Sequence, residues 1–294
     1  MIRVFCAIAV CGLALCSPAL ADGGGPDPGV MQGWTGVTAP GQQLRYVTLP
    51  GGRATVIASV SRSSGRVWGS RAVAGSWGVP MVANDGSTGG LSRDGRLLVL
   101  AGWNPPKVYG QLRTTSRFLL VSTRSLKVWR RVTLPGDFSY DALSPGGGTL
   151  YLIEHTSSKN VTTYRVRAYD LMARHLLPRV IADRRQASWL MHGTPVTRTA
   201  SSDGRWVYTL YQQPGGYPFV HALNAAASTA ICIGIPWKGV QDILPMVRLR
   251  LDERAGSLTL QTFHGRPLFV VDTTTFWVSR VTSRRGGFWS FLRL

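Results

Sequence analysis

Asp141, at the end of a strand-like run, and Glu154, followed directly by His155, are the pair of carboxylates whose placement could support acid–base chemistry. Cleaving a glycoside takes two carboxyl groups projecting into one pocket, one to give a proton and one to act as nucleophile or base. This chain has few to offer: twelve Asp and two Glu in 294 residues, with Asp22 and Asp27 close to the N-terminus. His192, between Trp189-Leu190-Met191 and Gly193-Thr194-Pro195, lies in a loop-like stretch able to face a central pocket. A hydrolase, whether lactonase-like or glycoside-cleaving, requires several of Asp141, Glu154, Asp242, Asp252 and His192 to converge. The plainer expectation for a Glu-His pair at a strand end is an exposed edge with no chemistry.

No metal or cofactor is indicated. His175, His192, His221 and His264 lack zinc-site spacing, and no cysteine cluster accompanies them. No Gly-x-Ser-x-Gly elbow occurs. Cys6, Cys11 and Cys16 fall in the first 21 residues; beyond them only Cys232 is present, in the apolar run Ala230-Ile231-Cys232-Ile233, which reads as a buried, unreactive thiol. Trp34 and Trp103 lie in loop-like sequence and are the candidates for ligand contact. Trp68, Trp129, Trp206 and Trp277 fall within strands, where packing is the expected role.

The elements that must position these residues are strands. Runs of four to eight apolar or alternating residues recur, and no stretch carries helical spacing between caps. A polar turn followed by a strand repeats: Ser92-Arg93-Asp94-Gly95-Arg96-Leu97-Leu98, then Ser144-Pro145-Gly146-Gly147-Gly148-Thr149-Leu150, then Ser202-Asp203-Gly204-Arg205-Trp206. Weaker copies stand at Leu49-Pro50-Gly51-Gly52 and Asp252-Glu253-Arg254-Ala255-Gly256, and Gly52, Gly95, Gly148, Gly204 and Gly256 anchor the five units. Ser122, Asp170, Asn224 and Asp272 each follow a further strand and can start a tight turn by bonding the backbone ahead of them. A period of roughly 40 to 50 residues matches a four-stranded propeller blade. The expected fold is all-β, a β-propeller of about five four-stranded blades spanning residues 42–285, and the repeated turn residues read as backbone requirements with any site lying elsewhere.

The phrase Ser144-Pro145-Gly146-Gly147-Gly148-Thr149-Leu150-Tyr151-Leu152, with Phe269-Val270-Val271-Asp272-Thr273-Thr274-Thr275 near the end, resembles the YVTN or WD-like β-propeller repeat of secreted bacterial proteins. The resemblance runs from about Leu44 to Thr282 and implies a propeller outside the cytoplasm; it implies no particular activity, because propellers serve many. The copies depart from the pattern at Gly146, which stands where the turn aspartate belongs, and at Arg93, which stands where the proline belongs.

Residues 1–21 read as a secretory signal: Arg3, an apolar run from Val4 to Cys16, and Ala19-Leu20-Ala21 before Asp22. Leu15 before Cys16 disfavours lipidation. Residues 22–41 are rich in Gly and Pro and read as a flexible lead-in, and residues 286–294, Gly286-Gly287-Phe288-Trp289-Ser290-Phe291-Leu292-Arg293-Leu294, form an aromatic tail. The net charge is +19, carried by 33 basic residues of which four are lysines, with no block longer than a pair. A nucleic-acid reader usually gathers its charge in a patch or arm, so nucleic acid is the lesser expectation. These features predict an exported, cell-envelope binding or scaffolding module with no cofactor, whose partner is a protein or an anionic envelope polymer, peripheral membrane contact also being open. A propeller hydrolase and a polyanion-binding envelope protein stand as the alternatives.

Overall fold

A computed structural model describes residues 29–38, 41–104, 111–160, 162–186, 189–213, 215–238 and 241–281. Residues 1–21, expected to be a secretory signal, residues 22–28 and 39–40 of the expected lead-in, and the aromatic tail at 286–294 lie outside the described residues.

Among the described residues twenty-two strands form five antiparallel sheets, each built on four consecutive strands. Blade 1 contains β2 (Gly33–Val37), β3 (Leu44–Gly51), β4 (Ala54–Ser61) and β5 (Val67–Ala74), after a short β1 (Val30–Met31). Blade 2 contains β6 (Trp77–Pro80), β7 (Leu97–Gly102), β8 (Thr115–Ser122) and β9 (Val128–Pro135). Blade 3 contains β10 (Asp137–Leu143), β11 (Thr149–His155), β12 (Thr163–Asp170) and β13 (His175–Ile181), and β14 (Met191–His192) pairs with β12. Blade 4 contains β15 (Thr194–Ala200), β16 (Trp206–Gln212), β17 (Phe219–Asn224) and β18 (Thr229–Gly234). Blade 5 contains β19 (Val247–Asp252), β20 (Ser257–Thr262), β21 (Pro267–Asp272) and β22 (Val278–Arg280). The protein is a β-propeller of five four-stranded blades.

Adjacent blades bury one another's faces. Ile57, Val79, Leu98 and Leu119 form the core between blades 1 and 2, and Phe118, Leu120, Phe138 and Leu152 that between blades 2 and 3. Tyr164, Val166, Tyr211 and Leu223 fill the space between blades 3 and 4, and Leu210, Val220, Leu258 and Phe269 the space between blades 4 and 5. Blades 2, 3 and 4 are packed on both faces, which explains the near-continuous apolar runs in their middle strands, whereas β20 and β21 of blade 5 alternate buried with more exposed residues.

The lead-in differs from its expected form. Residues 30–37 carry β1 and β2: β1 adds to blade 2 beside β6 (Val30 opposite Pro80), and β2 becomes the innermost strand of blade 1. Burial of Val30 and Met31 draws the segment onto the fold. Gly36 permits it, since its φ is +59° and a Cβ there would meet the Tyr46 carbonyl oxygen at 2.2 Å.

The hairpin joining the third and fourth strands has one design in all five blades. Its fifth residue is left-handed: Gly65 (φ 69°), Leu126 (53°), Arg174 (63°), Ser228 (53°) and Phe276 (59°). Asp170, Asn224 and Asp272 take two backbone N–H groups each through Oδ1, at 2.7 to 3.1 Å, as their position in the repeat predicts.

Candidate functional site

The turn between the first and second strands of a blade sits at one end of the propeller, and in blades 2, 3 and 4 a serine sets its shape. Ser92 Oγ accepts the N–H of Leu97, Ser144 Oγ that of Thr149 and Ser201 Oγ that of Trp206, each at 2.9 Å. In two turns the serine hydroxyl in turn donates to an aspartate, Asp94 at 2.7 Å and Asp203 at 2.6 Å, whose Oδ1 also takes the N–H of Arg96 or Arg205. The structure corrects the repeat at three places. The turn serine of blade 4 is Ser201, one residue before Ser202; the left-handed glycine of blade 3 is Gly147 (φ 69°), not Gly148. Gly52 lies in the β3–β4 turn at the opposite end, and the inner turn of blade 1 instead holds Gly41 (φ 73°).

The channel expected at the centre is crossed by a loop that the sequence did not single out, residues 82–88 of blade 2. Its Asn84 and Asp85 N–H groups bond the Pro195 and Val196 carbonyls of β15 at 3.0 and 3.1 Å. Asp85 Oδ2 lies 3.7 Å from Arg248 Nε on β19, and Thr88 Oγ1 donates to the Gly36 carbonyl on β2 at 3.1 Å. Four blades are thus tied together near the axis.

Between this loop and the repeat turns is a cleft of about 350 Å³. Its walls are the ends of three inner strands, Val37 and Thr38 from blade 1, Tyr140 to Leu143 from blade 3 and Arg198 to Ser201 from blade 4, together with Leu91 to Arg93 of blade 2, which follow the crossing loop; Val82 and Thr88 of that loop line it as well. The repeat turns therefore line the cleft, through Ser92, Arg93, Pro145, Ser201 and Gly204. These turns, expected to lie apart from any site, reach the cleft because they sit at the same end of the blades.

At the cleft's inner wall the Arg198 guanidinium, nearly buried, donates to both the carbonyl and the Oδ1 of Asp141 and, through Nε, to Thr209 Oγ1 at 2.8 Å. Burial opposes the charge of Arg198, but the Asp141 carboxylate outweighs it and raises its pKa. Asp141 Oδ2 is buried without a hydrogen-bond partner. Behind Tyr140 and Arg198 lies a pocket of about 20 Å³, room for about one water, lined by Ser139, His155, Tyr164 and Tyr211 among others. Burial pushes the Tyr140, Tyr164 and Tyr211 hydroxyls above the usual phenol range, so all three keep their protons at neutral pH. Further along the same blade face, burial lowers the His221 imidazole to about 4, leaving it neutral.

Of the residues proposed from the sequence, the cleft contains Asp141 alone. Glu154 pairs opposite Phe138, toward the other end of β10, where Arg165 (2.7 and 3.0 Å) and Arg167 (2.8 Å) bond its carboxylate. Burial by itself would raise the Glu154 pKa; the two guanidinium groups hold it below the usual carboxylate range. His192 is exposed on β14 with Nδ1 2.9 Å from Thr163 Oγ1, two strand spacings, about 10 Å, from β11. Asp242 and Asp252 are exposed elsewhere. Trp34 is exposed on β2, and Trp103 packs partly buried against the core between blades 2 and 3. Cys232 is half-buried, its thiol pushed up to about 12 by burial. The packing role expected of the strand tryptophans holds for Trp206, which stacks on Tyr208 at 6.0 Å. Trp68, Trp129 and Trp277 differ, being 65%, 49% and 73% exposed, because each stands at the start of an outermost strand.

No protein-family model matches the chain, and no curated protein does. Among solved structures it is similar to Kuenenia stuttgartiensis hydrazine synthase, at 15% identity over 83% of this chain and 80% of that one, TM-score 0.42. It is also similar to TolB from Acinetobacter baumannii, at 12% identity over 76% of this chain and 50% of that one, TM-score 0.42, and to the Dos1 propeller, at 8% identity over 85% and 58%, TM-score 0.47. The chain spans half the length of the TolB chain.

Proposed function

We propose that this chain is an exported binding module of the cell envelope that holds a small ligand in the cleft at the repeat-turn end. One observation carries the reading: residues of four blades, among them the inner-strand ends of blades 1, 3 and 4, surround a single cavity of about 350 Å³, within the usual size for a small-molecule site. Its lining mixes apolar side chains such as Val37, Leu91 and Val207 with the hydroxyls of Thr38, Tyr140 and Thr199, a composition suited to binding. Hydrolysis is the weaker reading because Asp141 is engaged by Arg198 and Glu154 by two arginines, and only one of them reaches the cleft. Residues 1–21 and the resemblance of the repeat to that of secreted bacterial propellers support a place outside the cytoplasm.

The test is native mass spectrometry of the protein purified from its own envelope fraction. A bound small molecule on the wild type, absent from Ala200→Trp, supports the cleft; Ala200 is exposed at the cleft wall, so an indole there blocks the space without entering the core. A ligand retained equally by Ala200→Trp would place it elsewhere and reject the proposal.

A further inference from the structure

The positive charge is unevenly shared. Residues 29–135, which supply blades 1 and 2, hold 14 Arg and Lys against two Asp, whereas residues 136–281 hold 15 against ten Asp and Glu. Chain topology then brings part of this excess to one end. The hairpin after each third strand sits against the repeat turn of its own blade: Thr123 N–H bonds the Arg96 carbonyl at 3.0 Å, and Arg62 N–H bonds that of Gln43 at 3.0 Å. Arg62 and Arg66 of blade 1 and Arg96, Arg124 and Lys127 of blade 2 are all exposed there, with Asp94 the one acidic residue among them. The same end of blades 3 to 5 carries Arg174, Arg205 and Arg254 against five carboxylates.

Two tryptophans stand in the basic sector. Trp68 and Trp129 occupy equivalent places, each at the register shift that opens the outermost strand of its blade. An arginine lies over each ring, Arg66 at 5.2 Å and Arg130 at 4.6 Å from the centroids. An indole with one face toward solvent and a guanidinium beside it matches the boundary between acyl chains and headgroups, where tryptophan is enriched and arginine meets phosphate.

We propose that the rim of blades 1 and 2 at the repeat-turn end docks on an anionic phospholipid bilayer, the five exposed basic residues facing headgroup phosphates and Trp68 and Trp129 entering the interface. The surface acts independently of what the cleft holds, and it turns the cleft mouth toward the membrane.

Vesicle co-sedimentation of the purified full chain tests this, using phosphatidylglycerol/phosphatidylcholine vesicles, phosphatidylcholine vesicles, and heparin as a soluble polyanion. All variants share residues 1–28, so differences between them report the rim. Binding to the anionic vesicles alone is expected, weakened by about two orders of magnitude or more in R62Q/R66Q/R124Q/K127Q. W68A/W129A should lose vesicle binding while keeping heparin binding, and W277A, at a still more exposed tryptophan in the acidic sector, should bind as the wild type does. No binding to anionic vesicles, equal binding by W68A/W129A, or equal loss in W277A would each overturn the proposal.

Discussion

Arg198 on the inner strand of blade 4 holds Asp141 on the inner strand of blade 3 by both its carbonyl and its carboxylate, and the pair is buried on both sides. The contact fixes the relative height of the two strands that form half of the cleft. Removing one partner leaves an uncompensated charge in the interior, so Arg198→Met should cost about 3–5 kcal/mol. Arg198→Met/Asp141→Asn should recover a large part of that loss. Urea unfolding of the three proteins checks the cycle, and equal losses in single and double variants would refute the coupling.

Acid should weaken the fold through His221. Its folded pKa of about 4 lies below the ordinary 6.5, so above pH 6.5 the imidazole is neutral in both states and contributes nothing to the pH dependence. As pH falls below 6.5 the unfolded chain takes up the proton and the folded chain does not, and stability declines until about pH 4, by about 3 kcal/mol in total. In His221→Gln the decline between pH 7 and 4.5 should be smaller by about 2–3 kcal/mol. Chemical denaturation at the two pH values measures it.

The turn register of blade 3 can be read by a pair of substitutions. Gly147 has φ +69°, and Gly147→Ala should cost about 1–2 kcal/mol. Gly148 is outside the left-handed region and a Cβ there meets nothing within 4 Å, so Gly148→Ala should be near neutral. Arg174, left-handed and exposed, should gain up to about 1 kcal/mol as Arg174→Gly. Thermal unfolding distinguishes the three.

Glu154→Gln should lower stability by about 1–3 kcal/mol, since two guanidinium groups lose their ionised acceptor. Ligand occupancy of the cleft, read by native mass spectrometry, should not change. A loss of occupancy with the fold intact would bring Glu154 into the site.

The five-blade fold was legible because its signals are local. The Ser-x-Asp-Gly turns and the Asp170, Asn224 and Asp272 hairpins are closed by bonds between residues no more than five apart, so their chemistry is visible in the string. The errors arose where local signals compete. Gly146, Gly147 and Gly148 are interchangeable in a sequence, and only the hydrogen bond from Gly147 N–H to the Ser144 carbonyl, at 2.8 Å, decides which one turns. Pro50-Gly51-Gly52 makes a tight turn as expected, but at the far end of blade 1, since a turn's own residues do not say which pair of strands it joins.

By itself the sequence determined the strand content, the blade period, the hairpin chemistry and the strong basic balance, all properties set by neighbours along the chain. Which residues meet across the axis depends on how the blades pack: loop 82–88 crosses to β15 and β19, Arg198 reaches Asp141 57 residues away, and the repeat turns gather around one cleft. Those contacts follow from closing one blade against the next, a geometry of packed faces that no stretch of sequence contains.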